Sequence, residues 1–136
     1  MTVNTVKVIT CALLLATFGL AGCMNSSIKI TDAKIAAGID EKLMPTEVKD
    51  VFPSGTKTVF CWFQWKGAQV DKKITASWHF ITDDIHILNY DFAIPRKEGW
   101  GSVSLSMPEG KALPVGLYKV DLSNTHKLKS LTFKVE

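Results

Sequence analysis

A period-two alternation of apolar side chains is the feature that most constrains the fold of this 136-residue chain. From Ile28 onward, turn-forming residues interrupt the alternation about every eight to twelve positions. Such alternation places apolar side chains on one face of a strand, and many short strands are typical of a two-sheet sandwich. No stretch of 28–136 shows convincing helical periodicity. We therefore predict an all-β domain over 28–136: a single antiparallel sandwich of seven or eight strands.

The first half of this domain contains two strands and a connection. The first strand is predicted over 27–39, with a change of phase near Thr31 and Asp32 that indicates a β-bulge. Residues 40–56 form a polar connection, and 57–65 is apolar on both parities, which predicts a central strand. Three apolar residues of the connection are expected to fill the rim of the sandwich: Val48, Val51 and Phe52.

The second half of the domain alternates more cleanly. Inward faces are expected for Ile74, Ala76, Trp78 and Phe80, for Val103, Leu105 and Met107, for Tyr118, Val120 and Leu122, and for Leu131, Phe133 and Val135. Asp83 and Asp84 predict a hairpin turn, and residues 95–101 predict a loop that contains Trp100. The net charge is +3 and the cations form no stripe, so we expect no nucleic-acid partner.

The N-terminus has the pattern of a secretory signal. Lys7 is followed by an apolar run over 8–20 that is short for a membrane span, and the run ends in Leu20-Ala21-Gly22-Cys23. This tetrapeptide resembles the lipobox of bacterial lipoproteins. The alternatives are an ordinary signal peptide and an uncleaved anchor.

The lipobox resemblance implies how the N-terminus is processed and where the protein is located. It implies that 1–22 is a removed signal peptide, that Cys23 carries the lipid, and that 23–27 is the lipidated N-terminus with a short tether. Position 24 is Met rather than Asp, and in proteobacterial lipoproteins Met24 resembles the default that is destined for the outer membrane. In a Gram-negative host this implies a protein that faces the periplasm. The lipid bilayer is then a partner through the Cys23 anchor.

The three cysteines then have separate fates. Cys11 leaves with the signal and Cys23 is consumed by lipid, so Cys61 remains without a disulfide partner. Cys61 lies in an apolar strand, which favours a buried small hydrophobe over a reactive thiol.

Several loose motifs, taken together, resemble bacterial immunoglobulin-like sandwich domains of families of unknown function. They are Phe52-Pro53 before Thr58 to Trp62, Ala76 to Trp78, Ser102 to Met107, Leu113 to Val120, and Leu131 to Val135. The resemblance implies that Trp78 is a core tryptophan and that Tyr118 forms a tyrosine corner, its hydroxyl bonding back to backbone. A true antibody-type domain is excluded, because Cys61 has no cysteine partner.

Exposed aromatics are the main candidates for a binding site. Phe60 and Trp62 share one parity of a strand whose other parity is also apolar, so one set faces away from the core. If a loop or a partner covers that set, its role is structural, and we favour this interpretation. If the set is exposed, it forms a patch that could bind sugar, peptide or protein. Trp100 is the second candidate.

Catalytic and metal-binding chemistry have little support in the sequence. His79 and His86 flank the Asp83-Asp84 turn and are the only candidates for a metal site, but their spacing is not a recognised ligand motif. His126 has no evident partner, and no serine lies in a nucleophile elbow. A catalytic pocket, if there were one, would be sought at the Asn124 and His126 turn or the 95–101 loop. We expect no enzyme activity and no cofactor.

The sequence therefore suggests a function in binding. The primary hypothesis is a membrane-anchored envelope lipoprotein whose sandwich is a non-catalytic binding or assembly module for another envelope protein. The alternative is a carbohydrate- or peptidoglycan-binding module that uses Trp100 and the face of Phe60 and Trp62.

Overall fold

The computed structural model describes residues 27–136, which form two β-sheets packed face to face. Their strands are β1 (Lys29–Ile39), β2 (Pro45–Val48), β3 (Val51–Phe52), β4 (Thr58–Lys66), β5 (Lys73–Phe80), β6 (Ile85–Ala93), β7 (Gly99–Ser106), β8 (Gly116–Ser123) and β9 (Lys127–Val135), with one 3-10 turn at Pro108–Gly110. The predicted signal peptide and Cys23 lie outside the described residues. Within 27–136 no helix has the length and apolarity needed to cross a membrane.

One sheet has four strands in the order β2-β1-β4-β7, and the other has five in the order β3-β9-β8-β5-β6. All neighbouring strands are antiparallel except β3 and β9, which are parallel. The predicted all-β sandwich is confirmed. Its nine strands exceed the predicted seven or eight because 40–56, expected to be a polar connection, contributes the short strands β2 and β3.

Only one of the three expected rim residues lies in the interior. Phe52 is buried, whereas Val48 and Val51 are exposed. The prediction was wrong for the two valines because both lie on short edge strands: β2 pairs only with β1, and Val51 pairs with Lys134. Alternation along β3 then turns Phe52 inward and Val51 outward.

The predicted bulge in the first strand is confirmed. The register between β1 and β4 shifts between Ile30 and Asp32, and the Asp32 carboxylate accepts a hydrogen bond from the Ala33 amide at 2.9 Å. The shift reverses the alternation, so that Ile30 and Ala33 both pack against the core.

The core lies between the inward faces of β4 and β7 in one sheet and β5, β8 and β9 in the other. All predicted inward residues of β5 and β8 are buried, as are Val103, Leu105, Phe133 and Val135, while Met107 and Leu131 are partly buried. On β4 the inward set is Val59, Cys61, Phe63 and Trp65. This places Phe60 and Trp62 on the outer face of the four-stranded sheet.

Aromatic rings form two groups in this core. In the first, Phe133 stacks on Tyr118 at 4.8 Å between ring centroids and meets Phe52 and Trp78 edge-on. In the second, Phe92 meets Phe63 and Trp65 edge-on at 5.1 and 5.5 Å. Because Phe92 belongs to β6 and the other two to β4, the second group joins the two sheets.

Tyr118 makes the hydrogen bond expected of a tyrosine corner. Its hydroxyl donates to the Pro114 carbonyl oxygen at 2.5 Å, four residues upstream. Burial raises the pKa of Tyr118 to about 12, so the hydroxyl keeps its proton and its bond at physiological pH. The bond fixes the segment between the 3-10 turn and β8 against the start of β8.

Two fully buried tryptophans differ in their hydrogen bonding. The Trp65 indole N–H donates to the Arg96 carbonyl oxygen at 3.0 Å. Within 27–136 the Trp78 indole N–H has no hydrogen-bond partner. Burying a donor without a hydrogen-bond partner destabilises the folded state. Trp78 therefore stabilises the fold through its buried apolar surface and destabilises it through its unsatisfied N–H.

This difference predicts unequal costs for two chemically identical substitutions. Trp65→Phe deletes the hydrogen bond to the Arg96 carbonyl oxygen, whereas Trp78→Phe deletes no hydrogen bond and removes an unsatisfied N–H. We expect Trp65→Phe to lower the free energy of unfolding by roughly 1–2 kcal/mol more than Trp78→Phe does. Urea denaturation followed by circular dichroism measures both. Equal losses would show that the Trp78 N–H is satisfied in solution.

Candidate binding surface on the edge strand β7

The four edge strands of the sandwich differ in how they are protected. Unpaired strand edges invite association with other strands, and proteins blunt them with prolines, charges, bulges or short lengths. β3 has two residues, and β2 has four, beginning at Pro45 and containing Glu47 at a positive φ of 51°. β6 contains Asp91 and pairs with β5 through a register shift.

β7 lacks these protections. Its eight residues contain no charge and no proline, and within 27–136 only β4 pairs with it. Gly101, Val103 and Leu105 face the core, and Trp100, Ser102, Ser104 and Ser106 face outward. Gly101 is required here, because a Cβ would lie 2.6 Å from the Phe92 ring. The strand therefore presents an uncharged backbone edge.

Trp100 is the exposed aromatic of this surface. It was expected in a loop over 95–101, but β7 begins at Gly99 because the backbone there continues the ladder with Trp65. Its side chain is 43% exposed. Its indole N–H donates to the Lys42 carbonyl oxygen at 3.0 Å, which fixes the ring on the outer face of the sheet.

The turn over 40–44 covers the neighbouring Trp62. The Trp62 indole N–H donates to the Leu43 carbonyl oxygen at 2.9 Å, and its side chain is only 3% exposed. Asp40 holds the turn, since its carboxylate accepts hydrogen bonds from the amides of Lys42 and Met44. Trp62 is therefore structural, and Phe60 on the same face is half-buried.

The sequence prediction missed the apolar residues of this turn. Leu43 and Met44 are exposed, and the indole bonds place the turn between Trp62 and Trp100. The sequence gives a weak signal, two adjacent apolar residues inside a polar connection. We define the β7 surface as the free edge of β7 together with Trp100, Leu43 and Met44.

The side of the sandwich next to β7 is incompletely covered. On β6, Leu88 and Tyr90 stand opposite Trp78 and Ala76, which places them on the inward face of their sheet. They are nevertheless 37% and 54% exposed. Phe92, at the other end of the strand, packs on Gly101 of β7. The four-stranded sheet thus ends at β7 before it covers Leu88 and Tyr90.

A shallow concavity of about 610 Å³ adjoins Trp100. Asp32, Gln64 and Trp100 stand side by side across β1, β4 and β7, because each is the register partner of the next. Arg96 and Glu98, on the loop before β7, also line the concavity. An aromatic ring beside polar groups of both charges is a composition that suits a polar ring-shaped ligand.

The other candidate residues are not gathered into a reactive site. His79 and His86 are register partners, and the His79 ring lies 3.1 Å from the Asp84 carboxylate. Among residues 27–136 no three His, Cys, Asp or Glu side chains come together as metal ligands. Cys61 is fully buried, and burial raises the pKa of its thiol to about 12, which leaves it inert.

Comparison with known proteins gives structural matches only. No family model matches the sequence, and no curated protein matches it. The fold is similar to an immunoglobulin-like protein of Pseudomonas aeruginosa, with a TM-score of 0.57 and 13% identity over 83% of this chain and 99% of that one.

Two further structures are similar over most of this chain. OgpA of Akkermansia muciniphila matches with a TM-score of 0.49 and 14% identity over 81% of this chain and 28% of that one. A Niemann-Pick type C2 protein of the Japanese carpenter ant matches at 0.43 and 12% identity over 84% and 96%. The first match shows that the sandwich is immunoglobulin-like, as the sequence motifs implied.

Proposed function

We propose that this protein is a lipid-anchored envelope lipoprotein whose immunoglobulin-like sandwich binds an extended segment of another envelope protein along the β7 surface. The observation that carries the proposal is the uncharged, unprotected edge of β7 beside an exposed tryptophan. An extended peptide that adds to such an edge gains main-chain hydrogen bonds, and alternate side chains provide specificity.

The neighbourhood of β7 supports a strand as the ligand. A strand added beside β7 extends the four-stranded sheet beneath Leu88 and Tyr90, whose inward faces are otherwise uncovered. Apolar side chains at every second position of the ligand would bury these two residues. On the outer face the intervening side chains meet Trp100, and tryptophans are frequent anchors of protein interfaces.

The anchor is supported by the sequence alone. Leu20-Ala21-Gly22-Cys23 after an apolar run resembles a lipobox, and several acyl chains give stable anchoring at about 0.8 kcal/mol per buried methylene. In a Gram-negative host, Met24 favours the outer membrane and a domain that faces the periplasm.

For the anchor, we expect the mature protein to begin at Cys23 with a mass increased by acyl chains, and Cys23→Ala to block processing. Mass spectrometry of the N-terminus and fractionation of membranes measure both. Cys61→Ala is the matched control and leaves processing unchanged. Unlipidated wild-type protein, or a Cys23→Ala variant that is processed normally, would contradict the anchor.

For the partner, a photo-crosslinking amino acid at Ser104, exposed on the outer face of β7, should capture a specific envelope protein. Trp100→Ala should lower the yield of that adduct about tenfold, because a central aromatic anchor is lost. The same crosslinker at Thr132, exposed on β9 of the other sheet, is the positional control. Identical adducts from both positions, or a yield that ignores Trp100→Ala, would refute binding at β7.

The concavity beside Trp100 supports one alternative, a carbohydrate or peptidoglycan fragment held against the indole ring by Gln64, Asp32 and Arg96. Trp62, Trp65 and Trp78 are buried, and Trp65 also lines the concavity, so a ligand-induced change in tryptophan fluorescence reports on Trp100 when Trp100→Ala removes it. This alternative predicts saturable quenching by glycan fragments that Trp100→Ala abolishes and Arg96→Ala weakens. Constant emission up to millimolar glycan would eliminate it.

A further inference from the structure

The loops at one end of the sandwich gather the N-terminus of the domain with the connections between the sheets. Lys29 pairs with Lys66, the Ala68 amide donates to the Lys97 carbonyl oxygen at 3.0 Å, and the Asn124 side chain donates to the Lys73 carbonyl oxygen at 2.7 Å. We call this the N-terminal end, formed by residues 27–29, 66–73, 93–99 and 123–127.

The two ends of the sandwich have opposite charge. The N-terminal end has seven lysines or arginines and two carboxylates. The opposite end, formed by 53–58, 80–85, 106–116 and 135–136, has two lysines and four carboxylate side chains. The overall net charge of +3 conceals this polarity.

Most cations of the N-terminal end are available for an external partner. Lys73 binds Asp91 at 3.0 Å, and hydrogen bonds from Thr75 and Lys73 hold the pKa of Asp91 below its usual range. Lys127 lies 3.9 Å from Asp121. Five other exposed cations make no ion pair within 27–136: Lys29, Lys66, Lys72, Arg96 and Lys97.

An apolar residue lies at the tip of the same end. Val70 is 51% exposed in the loop between β4 and β5, with Lys66 before it and Lys72 after it. Val70 lies next to Asp71 in a loop that Lys66 and Lys72 flank, and an exposed apolar side chain in such a loop suits the boundary between anionic headgroups and acyl chains, where the valine enters the interface and the lysines meet phosphates.

The length of chain before the domain determines where this end is held. Only residues 24–26 separate Cys23 from Ser27, where the described domain begins. Four extended residue steps reach at most about 14 Å. Ser27 therefore lies within roughly two Debye lengths of any surface that holds the Cys23 lipid, and the cations at the same end can approach that surface closely enough for electrostatic attraction at physiological salt.

The geometry points to the N-terminal end as a docking surface for the anionic lipid headgroups of the bilayer in which the protein is anchored. This inference rests on the proposed lipid anchor, since the short tether brings the end to the membrane. Docking gives the domain a fixed orientation, with the acidic end away from the bilayer and the β7 edge facing sideways.

Amine labelling of the full-length mature protein in vesicles tests the docking. In vesicles containing phosphatidylglycerol, labelling of Lys29, Lys66, Lys72 and Lys97 should slow about fivefold or more relative to phosphatidylcholine vesicles, and 0.5 M salt should abolish the difference. Lys57 and Lys111, at the opposite end, are internal controls and should label at the same rate in both.

Charge reversal provides the matched variants. Lys72→Glu combined with Lys97→Glu should remove the protection of Lys29 and Lys66, while Lys57→Glu combined with Lys111→Glu should leave it intact. Equal labelling rates in the two vesicle types, or protection that survives the first double substitution, would overturn the docking surface. The N-terminal mass from the same samples reports on the anchor separately, so failure of the anchor and failure of docking are distinguishable.

Discussion

The structure depends on dry contact between the inward faces of two sheets. Cys61 is unpaired, so no disulfide stabilises residues 27–136, and the interior between the sheets contains no buried charged residue. Its largest fully buried side chains are Trp65, Trp78, Tyr118, Phe52, Phe63 and Phe133. The hydrophobic burial of these rings is the main stabilising contribution, and the hydrogen bonds of Trp65 and Tyr118 fix the loops around it.

The same packing leaves one side of the sandwich unfinished. The five-stranded sheet extends to β6, whose Phe92 is enclosed against Gly101, while Leu88 and Tyr90 remain uncovered. β7 ends the other sheet without the charges, prolines or short length that protect β2, β3 and β6. A stable domain without a partner would ordinarily blunt such an edge, and this is the physical basis for proposing a partner strand there.

The proposed surfaces have separate roles. In the proposed arrangement the basic N-terminal end and the lipid would restrict the domain to a membrane and orient it, while the β7 surface lies on the side of the sandwich and would stay accessible. Trp100 lies near the start of β7, at the level of Trp65 and Gly99, and so on the half of the domain nearer the tether. A bound segment would therefore lie close to the bilayer and extend away from it along β7.

Much of the fold could be predicted from the alternation of apolar and polar residues, because a strand with one buried face has an apolar residue at every second position. The inward residues of β5 and β8, the bulge after Ile30 and the two-sided strand β4 were predicted in this way and confirmed. Short strands could not be predicted, since two or four residues contain too little periodicity, and β3 forms only because the C-terminal strand supplies its partner.

The sequence by itself determined which side chains can be buried, because the alternation of apolar residues along a strand is a local property. It therefore also determined the sandwich fold and its aromatic content. Only the tertiary structure decided which aromatic stays exposed. Trp62 and Trp100 are the same residue type, but the turn held by Asp40 buries Trp62 and leaves Trp100 exposed. The gathering of scattered lysines at one end likewise follows from how the loops meet, which no local pattern specifies.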